Sequence, residues 1–373
     1  MGIPEKIKAL EDEIHKTQIN KATEFHIGLL KAKIAKLKRD LEENKHGKNV
    51  SKGRDNSGYD VRKEGDGTVA LIGFPSVGKS TLLNCLTKAN SKIGQYQFTT
   101  LTAVPGMMEY NGAKIQVIDL PGIIKGAASG KGMGKKVLSV ARTSDLVLII
   151  IDVFQPNHLK VLVNELSEIG IKVNKSPPNI RIVKTPKGGL LISKDINNKL
   201  SSSMIREICR VYGIHNGQVA IKEPSLEADD LIDVLNGNRV YPPAIIVLNK
   251  IDLISKSHLE LILKNLEQNV VPISANSNKN IENLKQLIFN QLDFIRIYMR
   301  PKGKETDYEE PLIVRKGTKV KDICHKLHRN MLRDFRFALI WGNSVKFAGQ
   351  KVGLDHILMD EDVLTIIKKV NAL

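Results

Sequence analysis

Cysteine, tryptophan and long hydrophobic runs are all scarce in this 373-residue chain. Its three cysteines, Cys85, Cys209 and Cys324, lie far apart and without metal-ligand spacing. That excludes a disulfide framework and predicts core thiols in a reducing compartment. The longest apolar run, Leu146–Ile151, is far too short to cross a bilayer. Met1 to Leu10 is charged and amphipathic rather than a signal peptide. A cytoplasmic protein with no membrane partner is expected. Acids are also in deficit, with 40 Asp and Glu against 57 Lys and Arg and a net charge of +17. Apolar residues still make up 42% of the chain, enough to build the cores of two or three modules.

Among what is present, the string Gly73, Phe74, Pro75, Ser76, Val77, Gly78, Lys79, Ser80, Thr81 carries the most information. It matches G-x-x-x-x-G-K-S/T between an apolar run, Val69–Ile72, and a helix start at Thr81–Leu86. A glycine-rich turn entering a helix points backbone N–H groups at a phosphate. Gly73 and Gly78 allow close approach, Lys79 reaches the β- and γ-phosphates, and Ser80 ligates Mg²⁺.

Further elements follow in the order that a P-loop nucleotide site needs. Ile115–Ile118 reads as a strand delivering Asp119-Leu-Pro-Gly122, where Asp119 holds Mg²⁺ through water and Gly122 offers its N–H to the γ-phosphate. Between the two lies Phe98-Thr-Thr-Leu-Thr102, whose Thr100 is the favoured metal ligand of a closing loop. After the apolar run Ala244–Leu248 come Asn249, Lys250 and Asp252. A carboxylate at Asp252 accepts from guanine N1–H and the exocyclic amine, and adenine offers neither donor there. Ser274 and Ala275 then follow Val270–Ile273 and back the base. Together these predict a Mg²⁺-dependent enzyme turning GTP into GDP and phosphate. Lys79, Thr100 and Gly122 are the residues expected to bear on hydrolysis.

The P-loop, Phe98-Thr-Thr-Leu-Thr-Ala-Val-Pro-Gly106, the stretch from Asp119 to Gly134, Ala141-Arg-Thr-Ser-Asp145 and Val240-Tyr-Pro-Pro243 together resemble the developmentally regulated GTP-binding (DRG) proteins, within the Obg-like GTPases. The similarity covers nearly the whole chain. It implies an α/β P-loop GTPase domain with a mostly parallel sheet, an N-terminal helical hairpin, an inserted α/β subdomain and a C-terminal β-grasp module of the TGS type. It also implies association with ribosomes or translation and, from eukaryotic members, a dedicated stabilising protein partner. Where Ras-like GTPases carry a water-positioning Gln, this chain has Ile123, so intrinsic turnover should be slow. A ribosomal partner or K⁺ is expected to make up the deficit, although Ser76 stands where potassium-using relatives often have Asn.

The positive charge is uneven. Gly170–Lys222 holds ten Lys and Arg against two acids, Asp195 and Glu207. Lys125, Lys131, Lys135, Lys136 and Arg142 follow Asp119 with no acid between it and Asp145. Both patches suit phosphate backbones, so structured RNA or the ribosome is the expected partner. Few aromatics interleave them, so base stacking is not indicated there. Two other readings stand beside this one: a nucleotide-independent RNA-binding or scaffold protein with a vestigial G domain, and an ATPase of the same fold. The intact motifs argue against the first and Asp252 against the second.

The expected modules are residues 1–66, a G domain at 67–297 interrupted at about 170–235, and a β-grasp module at 298–373. Ile7, Leu10 and Ile14 mark one helix face and Leu30, Ile34, Leu37 and Leu41 another, a hairpin expected to dock on the G domain. Lys45–Gly67 reads as a connector. In the insert, Gly188-Gly189 predicts a hairpin between Ile180–Val183 and Leu190–Ile192, followed by a helix near Ile196–Tyr212. A helix over Ile281–Ile297 and another over Val320–Asp334 are expected, with Trp341 as a packing anchor.

Overall fold

The computed structural model describes residues 2–18, 20, 23–45, 63–87, 104–120, 140–195, 198, 200–237, 239–266, 269–301, 303–328 and 330–369. The expectations for Thr100, Gly122, Ile123, most of the connector and Lys125, Lys131, Lys135 and Lys136 fall outside these residues. The chain divides into two compact units, Met1–Ser57 with Gly170–Tyr241, and Gly58–Ile169 with Pro242–Leu373.

The first unit opens with α1 (Ile3–Lys16) and α2 (Glu24–Lys45). Pro4 sits in the first turn of α1, where a missing N–H costs nothing, and Glu5 accepts from the Gly2 N–H at 3.0 Å. On α2, Ile27, Leu30, Ala32 and Ile34 are buried.

The second unit opens with β1 (Gly67–Gly73), α3 (Lys79–Leu86), β2 (Val104–Tyr110), β3 (Ala113–Asp119), β4 (Leu146–Asp152) and α4 (His158–Glu168). All seven residues of β1 are buried, as are the first six of β4, the pattern of parallel strands covered on both faces. Strands β2 and β3 form an antiparallel hairpin through Asn111 and Gly112, both with positive φ, which the two-residue turn requires.

The first unit resumes with β5 (Ile180–Lys184), β6 (Leu190–Lys194), α5 (Ser202–Val211), β7 (Gly217–Ile221) and α6 (Ala228–Asn236). Here the expected hairpin is corrected. The strand order is β5-β7-β6, with β7 antiparallel to β5 and parallel to β6. Alternation in β5 and β6 defines which face is apolar but not which strand is the neighbour. Val219 and Ile221 of β7 carry the most buried side chains of this sheet and take its centre. Gly217 admits the β5 backbone, since a Cβ there would lie 2.5 Å from the Val183 carbonyl oxygen. Helix α5 starts later than expected because the Ser201 hydroxyl caps it, accepting from the Met204 N–H at 3.1 Å.

The apolar side of α2 is taken up by this insert, where the sequence pointed to the G domain. Ala32 enters the cluster of Leu200, Ile205, Ile208 and Leu231. Lys31 pairs with Asp229 at 2.8 Å, and Lys36 Nζ donates to the Val211 carbonyl at 2.7 Å.

The second unit is completed by β8 (Ala244–Asn249), α7 (Lys256–Asn265), β9 (Val270–Pro272) and α8 (Ile281–Gln291), giving a six-stranded sheet ordered β2-β3-β1-β4-β8-β9. Only β2 runs antiparallel. The stretch expected as one helix to Ile297 instead breaks at Asp293, whose φ of 54° leaves the helical region. Strand β10 (Phe294–Met299) follows, then β11 (Leu312–Arg315), α9 (Val320–Leu327), β12 (Phe335–Trp341), β13 (Gln350–Val352) and β14 (Asp362–Lys368). They form a sheet ordered β11-β10-β14-β12-β13 with α9 against one face, around Ile297, Val320, Ile323, Ile340 and Leu364. Helix α9 stops at Leu327, short of Asp334, because His328 is extended. Asp145 ties the two sheets of this unit together. It accepts from the Thr68 N–H at 2.9 Å and pairs with Lys63 at 3.3 Å and with Arg315 of β11.

Candidate functional site

In an open α/β sheet, ligands sit outside the carboxyl ends of the parallel strands. The ends of β1, β3, β4 and β8 bring together Gly73, Asp119, Asp152 and Asn249 there. The turn from β1 into α3 needs unusual backbone at two places. Ser76 has a φ of 64° and Gly78 a φ of 94°. A Cβ at Gly78 would collide with Asn249 Nδ2, so glycine is required twice over. Gly73 is equally confined, because a Cβ there would lie 2.5 Å from the Ile150 carbonyl oxygen.

Lys79 is the first residue of α3, and it is only 8% exposed. Its ammonium donates to the Gly73 carbonyl at 3.1 Å and the Phe74 carbonyl at 2.9 Å, which folds the loop around the lysine. Burial pushes its pKa below the ordinary lysine value, and the Asp119 carboxylate opposes part of that shift. A charged group held this way gains most from an incoming anion.

Ser80 Oγ donates to Asp119 Oδ2 at 2.7 Å. The second oxygen, Asp119 Oδ1, is buried without a hydrogen-bond partner among the described residues. A buried carboxylate oxygen needs a donor or a cation. Hard oxygen donors gathered beside a phosphate loop are the set that Mg²⁺ takes, so Ser80 and Asp119 fit that ion.

The base-reading loop is wired to the phosphate loop through Asn249, which is 2% exposed. Its Nδ2 donates to the Val77 carbonyl at 2.9 Å, and its Oδ1 accepts from the Ala275 N–H at 3.0 Å. Lys250, with a φ of 68°, sends Nζ back to the Ser76 carbonyl at 2.7 Å and to Asp152 Oδ2 at 3.1 Å. The turn at Ile251–Leu253 leaves the Asp252 side chain exposed and able to meet a ligand. Ser274 is fully buried, and its Oγ accepts from the Ser277 N–H at 3.1 Å, which shapes the loop carrying Ala275. Cys85 of α3 donates to the Ala275 carbonyl at 3.0 Å from the other side.

Comparison with known proteins identifies the family and its domains. The family described as 50S ribosome-binding GTPase matches residues 68–185, the C-terminal region of that domain residues 187–294, and the TGS domain residues 295–368. Developmentally-regulated GTP-binding protein 1 of Xenopus laevis is 47% identical over 371 residues, covering 99% of this chain and 100% of its own. The chain belongs to the developmentally regulated GTP-binding protein family. Developmentally-regulated GTP-binding protein 2 of Mus musculus is 43% identical over 371 residues, covering 99% of this chain and 100% of its own. Ribosome-interacting GTPase 1 of Saccharomyces cerevisiae is 47% identical over 369 residues, covering 98% and 99%.

As a DRG-family protein the chain binds guanine nucleotide on a P-loop GTPase domain and carries a C-terminal TGS domain. Among the residues expected at the site, the structure brings together Gly73 to Thr81, Asp119, Asn249, Lys250, Asp252, Ser274 and Ala275. Asp152 was missed by sequence reasoning. It accepts from the Phe154 and Gln155 N–H groups at 3.2 and 3.1 Å while holding Lys250. Its signal was present, since an acid closes the buried run of β4 as Asp119 closes that of β3. No helix among the described residues is long and apolar enough to cross a membrane.

Proposed function

We propose that this protein is a Mg²⁺-dependent GTPase that converts GTP to GDP and phosphate slowly by itself and serves as a conformational switch on the ribosome. The observation that carries the reading is the Asn249 bridge. One buried amide fixes the phosphate loop at Val77 and the base-backing loop at Ala275, so base and phosphates are read as a unit. In this reading Lys79 and the loop N–H groups hold the phosphates, and Asp252 accepts from the guanine edge. Ser80, Thr100 and, through water, Asp119 hold Mg²⁺, and the Gly122 N–H senses the γ-phosphate. The metal, when bound, neutralises charge that develops on the phosphate oxygens.

Asp252→Asn tests the base reading directly. Xanthine carries a carbonyl where guanine has its exocyclic amine, so the amide should prefer XTP and lose GTP. Unchanged preference for GTP would sink the assignment.

The ribosomal part rests on the name of the yeast relative and on the basic insert. Arg181, Lys184, Lys187 and Lys222 are all exposed. With Ile123 in place of a water-orienting Gln, K⁺ or a ribosomal surface is assigned the missing step. GTP turnover should therefore rise with ribosomes or with K⁺ over Na⁺, and vanish in Asp119→Asn. Equal rates in all conditions would leave a binding switch without stimulated hydrolysis.

A further inference from the structure

The candidate site holds two lysines whose ammonium groups are used differently. The Lys79 ammonium hydrogen-bonds to two neutral carbonyls, so its charge stays available to an anion. The Lys250 ammonium is already satisfied. It donates to the Ser76 carbonyl at 2.7 Å and to Asp152 Oδ2 at 3.1 Å, and the Phe154 ring centre lies 5.9 Å from it. With a carboxylate beside it, this ammonium gains less from a phosphate than Lys79 does. What Lys250 can still offer a ligand is its four-carbon stem, an apolar bar. That bar is fixed at both ends, by the head-group bonds and by a backbone whose φ is 68° and whose next N–H, that of Ile251, donates to the Ile273 carbonyl at 3.2 Å.

Asp152 is built for this grip. It closes β4 directly opposite Asn249 of β8, so Lys250 begins one residue beyond the register pair. The Val153 N–H donates to the Asn249 carbonyl at 3.2 Å and ties the two strand ends together. Asp152 Oδ1 accepts from the Phe154 and Gln155 N–H groups at 3.2 and 3.1 Å, an Asx-type turn that orients the carboxylate and leaves Oδ2 for Lys250. The two oxygens therefore have separate tasks. The Asp152 and Lys250 side chains are 14% and 29% exposed, which shelters the pair from much of the screening that makes surface ion pairs weak. Among the described residues Asp152 is the one carboxylate paired with Lys250.

We propose that Asp152 is a positioning residue for guanine-nucleotide binding, its Oδ2 pinning the Lys250 ammonium so that the lysine stem stands as a wall of the base site before ligand arrives. The inference rests on the base-reading role proposed above for the loop from Asn249 to Asp252. Ordering a long side chain during binding weakens affinity, and a side chain already ordered in the free protein avoids that loss. The Ser76 carbonyl alone offers no net charge to hold the lysine head. Asp152 itself touches no ligand in this scheme and acts through Lys250.

Substitution can separate the two tasks. Asp152→Asn keeps an oxygen for the Phe154 and Gln155 N–H groups and removes the charge that faces Lys250. The full-length protein would be titrated with GDP carrying a fluorescent ribose label, and a chase with unlabelled GDP would give the dissociation rate. Asp152→Asn should melt at the wild-type temperature yet bind GDP roughly three- to tenfold more weakly, mainly through faster dissociation. In a Lys250→Met background, which lacks the ammonium, the same change should cause no further loss. Equal losses in both backgrounds would overturn the proposal, because Asp152 would then act through its turn and not through Lys250. The cycle reads this coupling even where a single variant is destabilised, since a folding defect recurs in both backgrounds. If Asp252→Asn still prefers GTP, the base-reading role and this inference fall together. Tight GDP binding that Asp152→Asn leaves unchanged would overturn this inference alone.

Discussion

Charge is handled in opposite ways at the strand ends around Lys79 and on the insert between Ile171 and Lys222. Around Lys79 the polar groups are few and bonded to named partners: buried Lys79 to two loop carbonyls, buried Asn249 to Val77 and Ala275, and half-buried Lys250 to Ser76 and Asp152. On the insert, Lys175, Arg181, Lys184, Lys187 and Lys222 stand exposed. Buried, bonded groups read shape, and each loss strands a partner away from water. Exposed cations act together, through a field that salt screens. One overall amino-acid composition thus covers a buried, bonded site and an exposed basic surface.

The sharpest way to separate them uses the insert's own exception. Asp233 is 4% exposed and is held between Arg239, at 2.7 Å, and Lys172. Removing one partner of a buried ion pair strands the other, so Asp233→Ala should destabilise the first unit by about 3 kcal/mol. Hydrogen exchange would show lost protection in α5, α6 and β7, with guanine-nucleotide affinity unchanged. If affinity falls equally, the two regions are not energetically independent.

Lys79→Ala comes next in size. It removes the ammonium proposed to hold the phosphates, and nucleotide affinity should drop on the order of 100-fold. Equilibrium binding at wild-type strength would refute the phosphate assignment. Asn249→Ala is smaller but reaches further, because it leaves the Val77 carbonyl and the Ala275 N–H unpaired. Unfolding in urea should show a loss of about 2 kcal/mol, accompanied by weaker nucleotide binding. By contrast, changing Arg181, Lys184 and Lys187 together to Ala should alter neither. It should instead flatten the salt dependence of structured-RNA binding by about one unit of slope per cation. An unchanged slope would remove the insert from the RNA-facing surface.

The selective region was also the legible one. Gly73 to Ser80 and Asn249 to Asp252 could be read from spelling because phosphate and guanine dictate residue type at fixed spacing. Asp152 escaped although it closes β4 as Asp119 closes β3, because no spacing rule ties such an acid to Lys250. The insert was misread where neighbour choice, rather than local pattern, decides. Gly188 and Gly189 do mark a turn, but β7 arrives from beyond α5 to separate the strands they join. Helix α8 was overrun because Phe294, Ile295 and Ile297 continue a spacing that suits either structure, and only the positive φ of Asp293 breaks it. Trp341, expected as a packing anchor, packs against the Gly349 backbone on the side of its sheet away from α9, a side that strand parity at Ile340 did not mark in the sequence.

The smallest effect probes the buried lysine without any ligand. Folding lowers the Lys79 pKa below its ordinary value of 10.5, chiefly through burial, so the unfolded chain holds this proton more tightly than the folded one. Stability rises with pH wherever the unfolded state binds more protons. The cost of the buried charge is therefore complete below the lowered pKa and fades as pH climbs toward 10.5. Lys79→Met keeps the length of the side chain and carries no proton. Nucleotide-free wild type should gain stability relative to Lys79→Met across that alkaline window, a modest slope readable by urea unfolding at successive pH values. A constant difference would mean that the ammonium is as well solvated in the loop as in water, and the case for a site waiting on an anion would lose its electrostatic support.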